Sequence, residues 1–147
     1  MPLASIIVPA FNVAKTLLAT LDALLVQTFT DFEIIVVDDG STDATAAILK
    51  EYEGIPGFKV ITQRNRGLAG ARNTGIAAAR GLYIGFCDAD DLWVPEKLAN
   101  HVAHLQSAPH IGVSYSGSAL LDVDGVLLGM AQNPSLKNIT AEHILKR

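Results

Sequence analysis

The chain has 147 residues, half of them hydrophobic and 18% charged, with a formal net charge of -4. That length allows one domain with a substantial core, and mild acidity without a Lys/Arg cluster argues against a dedicated nucleic-acid binder. A single cysteine, Cys87, excludes an internal disulfide framework and suits a reducing, cytoplasmic setting.

Residues 1–14 carry no charged side chain, but Pro9 and Asn12 interrupt them and they are too short to span a bilayer. No basic stretch precedes an apolar run there, so a signal peptide is not expected. Ser5-Ile6-Ile7-Val8 reads as a strand buried on both faces and halted by Pro9. Pro9 to Asn12 reads as a loop, with Asn12 capping a helix that carries Val13, Leu17, Leu18, Leu21, Leu24 and Leu25 at helical spacing. Glu33 to Val37 is the second strand. It runs into the turn Asp38 to Asp43 and a helix over Ala44 to Tyr52, with Ile48, Leu49 and Tyr52 on one face.

Lys59 to Thr62 is the third strand. A glycine-punctuated loop, Gln63 to Gly75, leads from it into an alanine-rich helix ending at Gly81. The run from Leu82 to Phe86 predicts a buried fourth strand, with Cys87 as packing, and ends in the acids Asp88, Asp90 and Asp91. A helix from Pro95 turns Leu98, Val102 and Leu105 inward. Ile111 to Ser116 is a fifth strand candidate. Leu120 to Val123, Asp124-Gly125 and Val126 to Leu128 make a hairpin with the dipeptide that a type I′ turn asks for, shaped by Asp122 and Asp124. Thr140 to Arg147 reads as a helix without a stop signal, so the chain is expected to be a fragment, with a membrane segment beyond residue 147 left open.

Four strands alternating with four helices predict an α/β fold: a Rossmann-like, mostly parallel sheet flanked by helices, with an antiparallel hairpin near the C-terminus. With neither repeat nor linker, residues 1–147 are read as one domain.

Parallel strands would bring three polar loops, Pro9 to Asn12, Asp38 to Asp43 and Asp88 to Asp91, to one edge of the sheet, where ligands of such folds bind. Asp88 and Asp90, two apart and pointing the same way if extended, offer hard oxygen ligands for a divalent cation that also grips a diphosphate. A solvated acidic turn capping the next helix is the competing reading. Asp39, or failing it Asp38, is placed to accept a hydrogen bond from a nucleobase N–H, against a role as a capping acid. Arg72 suits a phosphate or a base face, against a solvated helix arginine, and Arg64 and Arg66 read as exposed loop charges. Gly67 and Gly70 lack the dinucleotide-fingerprint spacing, and no phosphate-loop Gly-Lys-Ser/Thr pattern occurs. His101 and His104 are spaced for a metal but lack an evident third ligand, and Trp93 reads as a packing anchor.

The segments Ser5 to Asn12, Val37 to Asp43, Asn65-Arg66-Gly67 with Ala71 to Gly75, and Asp88-Ala89-Asp90-Asp91 resemble, in order, the inverting family 2 glycosyltransferases of the GT-A fold. The resemblance covers about residues 4 to 116. It implies a nucleotide-diphosphate-sugar donor, UDP being preferred to GDP or dTDP, a Mn²⁺ or Mg²⁺ ion, and an unidentified carbohydrate, lipid or protein acceptor. The setting it implies is polysaccharide or cell-envelope biosynthesis, at the inner face of the membrane if a longer protein associates peripherally. By position, Pro9, Ala10 and Phe11 would line the base pocket, Asp39 with Asp38 beside it would read the base, and Arg72 would assist. Asp88 and Asp90 match the Asp-x-Asp pair, with Asp88 towards the ribose and both at the metal, while the role of Asp91 is not fixed. Phe11 stands where tyrosine is also common. The resemblance places the general base after the region covered, so a fragment is expected to bind donor without transferring the sugar. A sugar nucleotidyltransferase, or a non-catalytic nucleotide-binding domain, are the alternative readings.

Overall fold

The computed structural model describes residues 1–122 and 124–132, which fall in two compact units, one from Met1 to His104 and the other beginning at Leu105. The first holds a four-stranded parallel sheet in the order β3-β2-β1-β4. Its strands are β1 (Ala4–Ala10), β2 (Phe32–Asp38), β3 (Phe58–Thr62) and β4 (Tyr83–Phe86). Helices α1 (Leu17–Leu25), α2 (Thr45–Lys50) and α3 (Gly67–Ala78) connect them in turn, and α4 (Lys97–Ser107) follows β4.

Every residue of β1 is buried, as is β2 after Phe32, because helices cover both faces of the sheet. On one face Ile6, Val8, Ala10, Ile34 and Val36 pack with Leu17, Leu21 and Leu24 of α1, Leu49 of α2, and Leu98 and Val102 of α4. On the other, Ile35 and Val37 meet Ala71 of α3. The small residues of α3 let it lie close: a Cβ on Gly75 would collide with Cγ2 of Ile7. The strand order reverses between β1 and β4, which pair in parallel as β1 and β2 do, and such a reversal leaves a crevice at the carboxyl edge.

Several sequence expectations shift. Pro9 does not halt β1; it lies within the strand, opposite Val37. Neighbouring β4 pairs only as far as Ile7–Phe86, so the donor that proline lacks faces no ladder there. Leu18 and Leu25 point outward at 50% and 43% exposure, leaving α1 a narrower buried stripe. Helix α2 is shorter than Ala44 to Tyr52, although Tyr52 is still buried. Helix α3 starts at Gly67, not after Gly75, because Gly67 enters it at φ 73° and the later glycines serve close packing. Strand β4 is not buried throughout: Ile84 and Phe86 are 39% and 44% exposed, since β4 pairs with β1 alone among the described residues.

In the second unit Ile111 to Ser116 forms no strand. The predicted hairpin is present as β5 (Ser118–Leu121) antiparallel to β6 (Leu127–Gln132). Its turn is not type I′: of the Asp-Gly dipeptide only Gly125 has positive φ, 79°. Asp122 instead shapes the loop, its Oδ1 accepting from the N–H of Asp124 (2.9 Å) and of Val126 (2.8 Å). The predicted helix from Thr140 lies outside the described residues. No helix among those described is long and apolar enough to cross a membrane.

Candidate functional site

Parallel pairing places the carboxyl ends of β1, β2 and β4 on one edge of the sheet. Backbone bonds extend the ladder past the strands: Asp39 N–H donates to Ala10 O (2.8 Å) and Gln63 N–H to Asp38 O (2.9 Å). The loops after β1 and β2 are then stitched together. Asn12, in the left-handed region at φ 54°, does not cap α1; its Oδ1 accepts from the N–H of Thr42 at 2.8 Å and of Asp43 at 3.3 Å. Its own N–H donates to Ser41 Oγ at 3.0 Å, so the two loops share one conformation. Phe11 just before it is 48% exposed, whereas Pro9 and Ala10 are buried within β1.

Asp38 and Asp39 are both nearly buried, and they do different things. Asp38 Oδ1 accepts from Ser41 N–H (2.9 Å) and closes the turn. Asp39 turns toward the start of α3, where its Oδ1 accepts from Gln63 Nε2 (2.6 Å) and from the N–H of Arg66 (2.9 Å). Burial pushes the Asp39 carboxyl up, but the Gln63 amide, the N–H groups of Arg66 and Gly67 and the Arg66 charge together hold it below the usual carboxylate range. Asp39 is thus an ionised acceptor at neutral pH and does not cap α2. Gln63 is held in turn by Thr74, whose Oγ1 lies 2.6 Å from Gln63 Oε1.

At the end of β4 the chain does not stay extended: Asp91 N–H donates to Asp88 O (3.0 Å), making a turn of the four acidic-motif residues. The same-side argument for Asp88 and Asp90 therefore fails, although both remain in one short turn. Arg72 of α3 reaches Asp88, its terminal nitrogen 2.6 Å from Oδ1, with its guanidinium 5.7 Å from the centroid of the exposed Phe86 ring. The Arg72 Nε is buried without a partner. Asp90 and Asp91 are exposed. Partial burial, then the charges of Asp88 and Asp90, push the Asp91 carboxyl up, against an opposing pull from Lys97.

This turn fits a divalent cation shared with a ligand and not an all-protein cage. Among the described residues no group of three His, Cys, Asp or Glu side chains converges on a point, His101 and His104 included. Mg²⁺-type sites commonly take one or two carboxylates and complete their shell with phosphate oxygens and water. Trp93 is buried with Leu98 and Val102, as a packing anchor should be. Cys87 is likewise interior, its thiol pushed up to about 12 by burial first and by Asp91 next.

Sequence reading brought Asp39, Arg72 and Asp88 forward but missed Gln63 and Thr74, which hold Asp39. The available signal was position: Gln63 follows β3 directly, as Asp39 and Asp88 follow their strands closely. Phe86, the exposed aromatic under Arg72, was hidden by its place in an apolar run.

A family model, "Glycosyl transferase family 2", matches residues 5–123. The chain belongs to that family. It is 38% identical over 137 residues to the Escherichia coli UDP-Glc:alpha-D-GlcNAc-diphosphoundecaprenol beta-1,3-glucosyltransferase WfaP, covering 91% of this chain and 53% of WfaP. Among solved structures, S. aureus TarS 1-349 in complex with UDP-GlcNAc superposes with a TM-score of 0.67 at 29% identity, over 82% of this family 2 chain and 40% of TarS 1-349. The Pyrobaculum calidifontis mannosyltransferase PcManGT in complex with GDP-Man and Mn²⁺ gives a TM-score of 0.67 at 29% identity, over 82% and 36% of the two chains. The fold is GT-A, and this family 2 chain spans about half the length of WfaP and less of the two structures.

Proposed function

We propose that this chain is the donor-binding part of a metal-dependent glycosyltransferase that transfers a sugar from a nucleotide diphosphate, UDP in preference to GDP or dTDP, to an acceptor hydroxyl with inversion. Residues 1–147 act in this reading as one nucleotide-sugar-binding domain working in the cytoplasm. The observation that carries it is the shared edge: an ionised, oriented Asp39 follows β2, and an acidic turn that Arg72 only partly neutralises follows β4, with β1 between the two strands. The bound ligands of two structural neighbours, UDP-GlcNAc in TarS 1-349 and GDP-Man with Mn²⁺ in PcManGT, support the same ligand class.

Asp39 accepts the base N–H, with Asp38 shaping the loop beside it, and Phe11 offers an exposed aromatic face above the buried Pro9 and Ala10. Asp90 and Asp88 would hold the cation, and Arg72 fixes Asp88 through Oδ1. When bound, Mn²⁺ or Mg²⁺ supplies Lewis-acid stabilisation of charge on the leaving diphosphate. Deprotonation of the acceptor needs a separate base near its hydroxyl. Titration calorimetry with UDP, with and without Mn²⁺, tests this: UDP binds, Mn²⁺ tightens it, and Asp90→Ala removes the tightening. Equal Mn²⁺ enhancement in Asp90→Ala would overturn the metal role.

A further inference from the structure

We propose that Thr74 and Gln63 are positioning residues forming a polar relay that fixes Asp39 as an acceptor only. The site thereby takes bases presenting a ring N–H, such as uracil, thymine or guanine, and disfavours cytosine and adenine, which present a ring acceptor. This rests on Asp39 reading the base. The relay has a direction. Arg66 N–H can only donate, and it donates to Asp39 Oδ1 at 2.9 Å, so that oxygen accepts. Gln63 stands 2.6 Å from the same oxygen, and the acceptor there requires the amide to turn its NH₂ toward Asp39 and its oxygen away. The outward oxygen then needs a donor, and the Thr74 hydroxyl at 2.6 Å supplies it in preference to its alternative acceptor, Gly70 O at 3.1 Å.

The opposite amide orientation would set an oxygen against the carboxylate, which is tolerable only if Asp39 is protonated and becomes a donor. Two self-consistent states therefore exist, acceptor or donor, and the Arg66 N–H, which can only donate, selects the first, in which the Thr74 hydroxyl satisfies Gln63 Oε1. Asp39 exposes only 3% of its surface, so a base meets a few atoms of it, and their hydrogen-bonding sense decides which base fits. Nothing in the relay touches the acidic turn after β4, so its effect falls on the base and not on the diphosphate.

The test is calorimetry in Mn²⁺ with UDP, CDP and inorganic pyrophosphate for the unmodified protein, Thr74→Val and Thr74→Ser, with melting curves as a check on folding. The unmodified protein binds UDP about tenfold or more tighter than CDP. Thr74→Val, equal in shape but without the hydroxyl, loses about three- to tenfold in UDP affinity while CDP and pyrophosphate stay within about twofold, and Thr74→Ser restores the preference. An unchanged UDP:CDP ratio in Thr74→Val overturns the relay and leaves the proposed function standing. Equal loss for all three ligands also overturns it, as a merely structural role. If the unmodified protein binds UDP and CDP alike, base reading by Asp39 fails and the relay with it.

Discussion

Asn12 shows how one side chain sets the shape of the site. It occupies the left-handed region at φ 54°, and its carbonyl oxygen gathers the N–H groups of Thr42 and Asp43. Asparagine tolerates that backbone better than other non-glycine residues, and its short amide mimics a turn. Asn12→Gly removes the side-chain bonds but keeps a permissive backbone, whereas Asn12→Ala removes them and adds about 1 kcal/mol of left-handed strain. Urea unfolding is expected to rank the three as Asn12, then Gly, then Ala, the two variants about 1 kcal/mol apart. Equal midpoints for Gly and Ala would show that the strain is relieved by loop movement. The sequence marked Asn12 as a polar loop residue and assigned it the wrong partner, because a cap to the next helix is the nearest use for such a side chain along the chain.

Among the elements, the junction of α3 and β4 is held by a clasp at the amino edge of the sheet, away from the site. Buried Glu33 of β2 accepts from Ser5 Oγ (2.7 Å), from Arg80 N–H (2.9 Å), and from Arg80 Nε and Nη2 (3.0 and 2.7 Å). Ser5 Oγ in turn accepts from Gly81 N–H at 2.8 Å. Gly81 must lack a side chain, since a Cβ there would come within 2.5 Å of the Ala4 backbone. Burial raises the Glu33 carboxyl, but the bonds from Arg80 and Ser5 and the Arg80 charge outweigh it, so its folded value lies below the ordinary one. A depressed carboxyl stabilises the fold above the unfolded value, about 4.3, and that contribution is lost as pH falls through the folded value. Glu33→Gln is therefore expected to cost about 1–3 kcal/mol at pH 7, with the gap to the unmodified protein closing as pH falls below the ordinary carboxylate range. A gap independent of pH would assign the loss to packing. Glu33 was legible only as the first residue of a strand. Its partner Arg80 lies 47 positions away, beyond the reach of any local pattern.

At the scale of the molecule, the proposed site couples two ligands through one edge. If a cation bridges the acidic turn and a bound diphosphate, each ligand raises affinity for the other by the same factor. UDP and Mn²⁺ together are expected to raise the melting temperature by more than the sum of their separate shifts. At a hundredfold excess over Kd a single ligand adds about 2.7 kcal/mol of stability, enough to read in a thermal melt. Strictly additive shifts would place the two ligands at independent sites.

The sequence alone was enough for the alternating strands and helices, the doubly covered core of β1 and β2, the clustering of acids at strand ends and the family. Those features are written in periodicity, composition and residue order, which record what each segment needs from its immediate neighbours. Only the tertiary structure decided that Pro9 continues β1, that β4 exposes a face, and that Asp39 belongs to Gln63 and Asp88 to Arg72. Those partners stand 24 and 16 positions apart. Such pairs form because strands in parallel deliver distant loops to a common edge, and a linear pattern carries no term for which of those loops will touch.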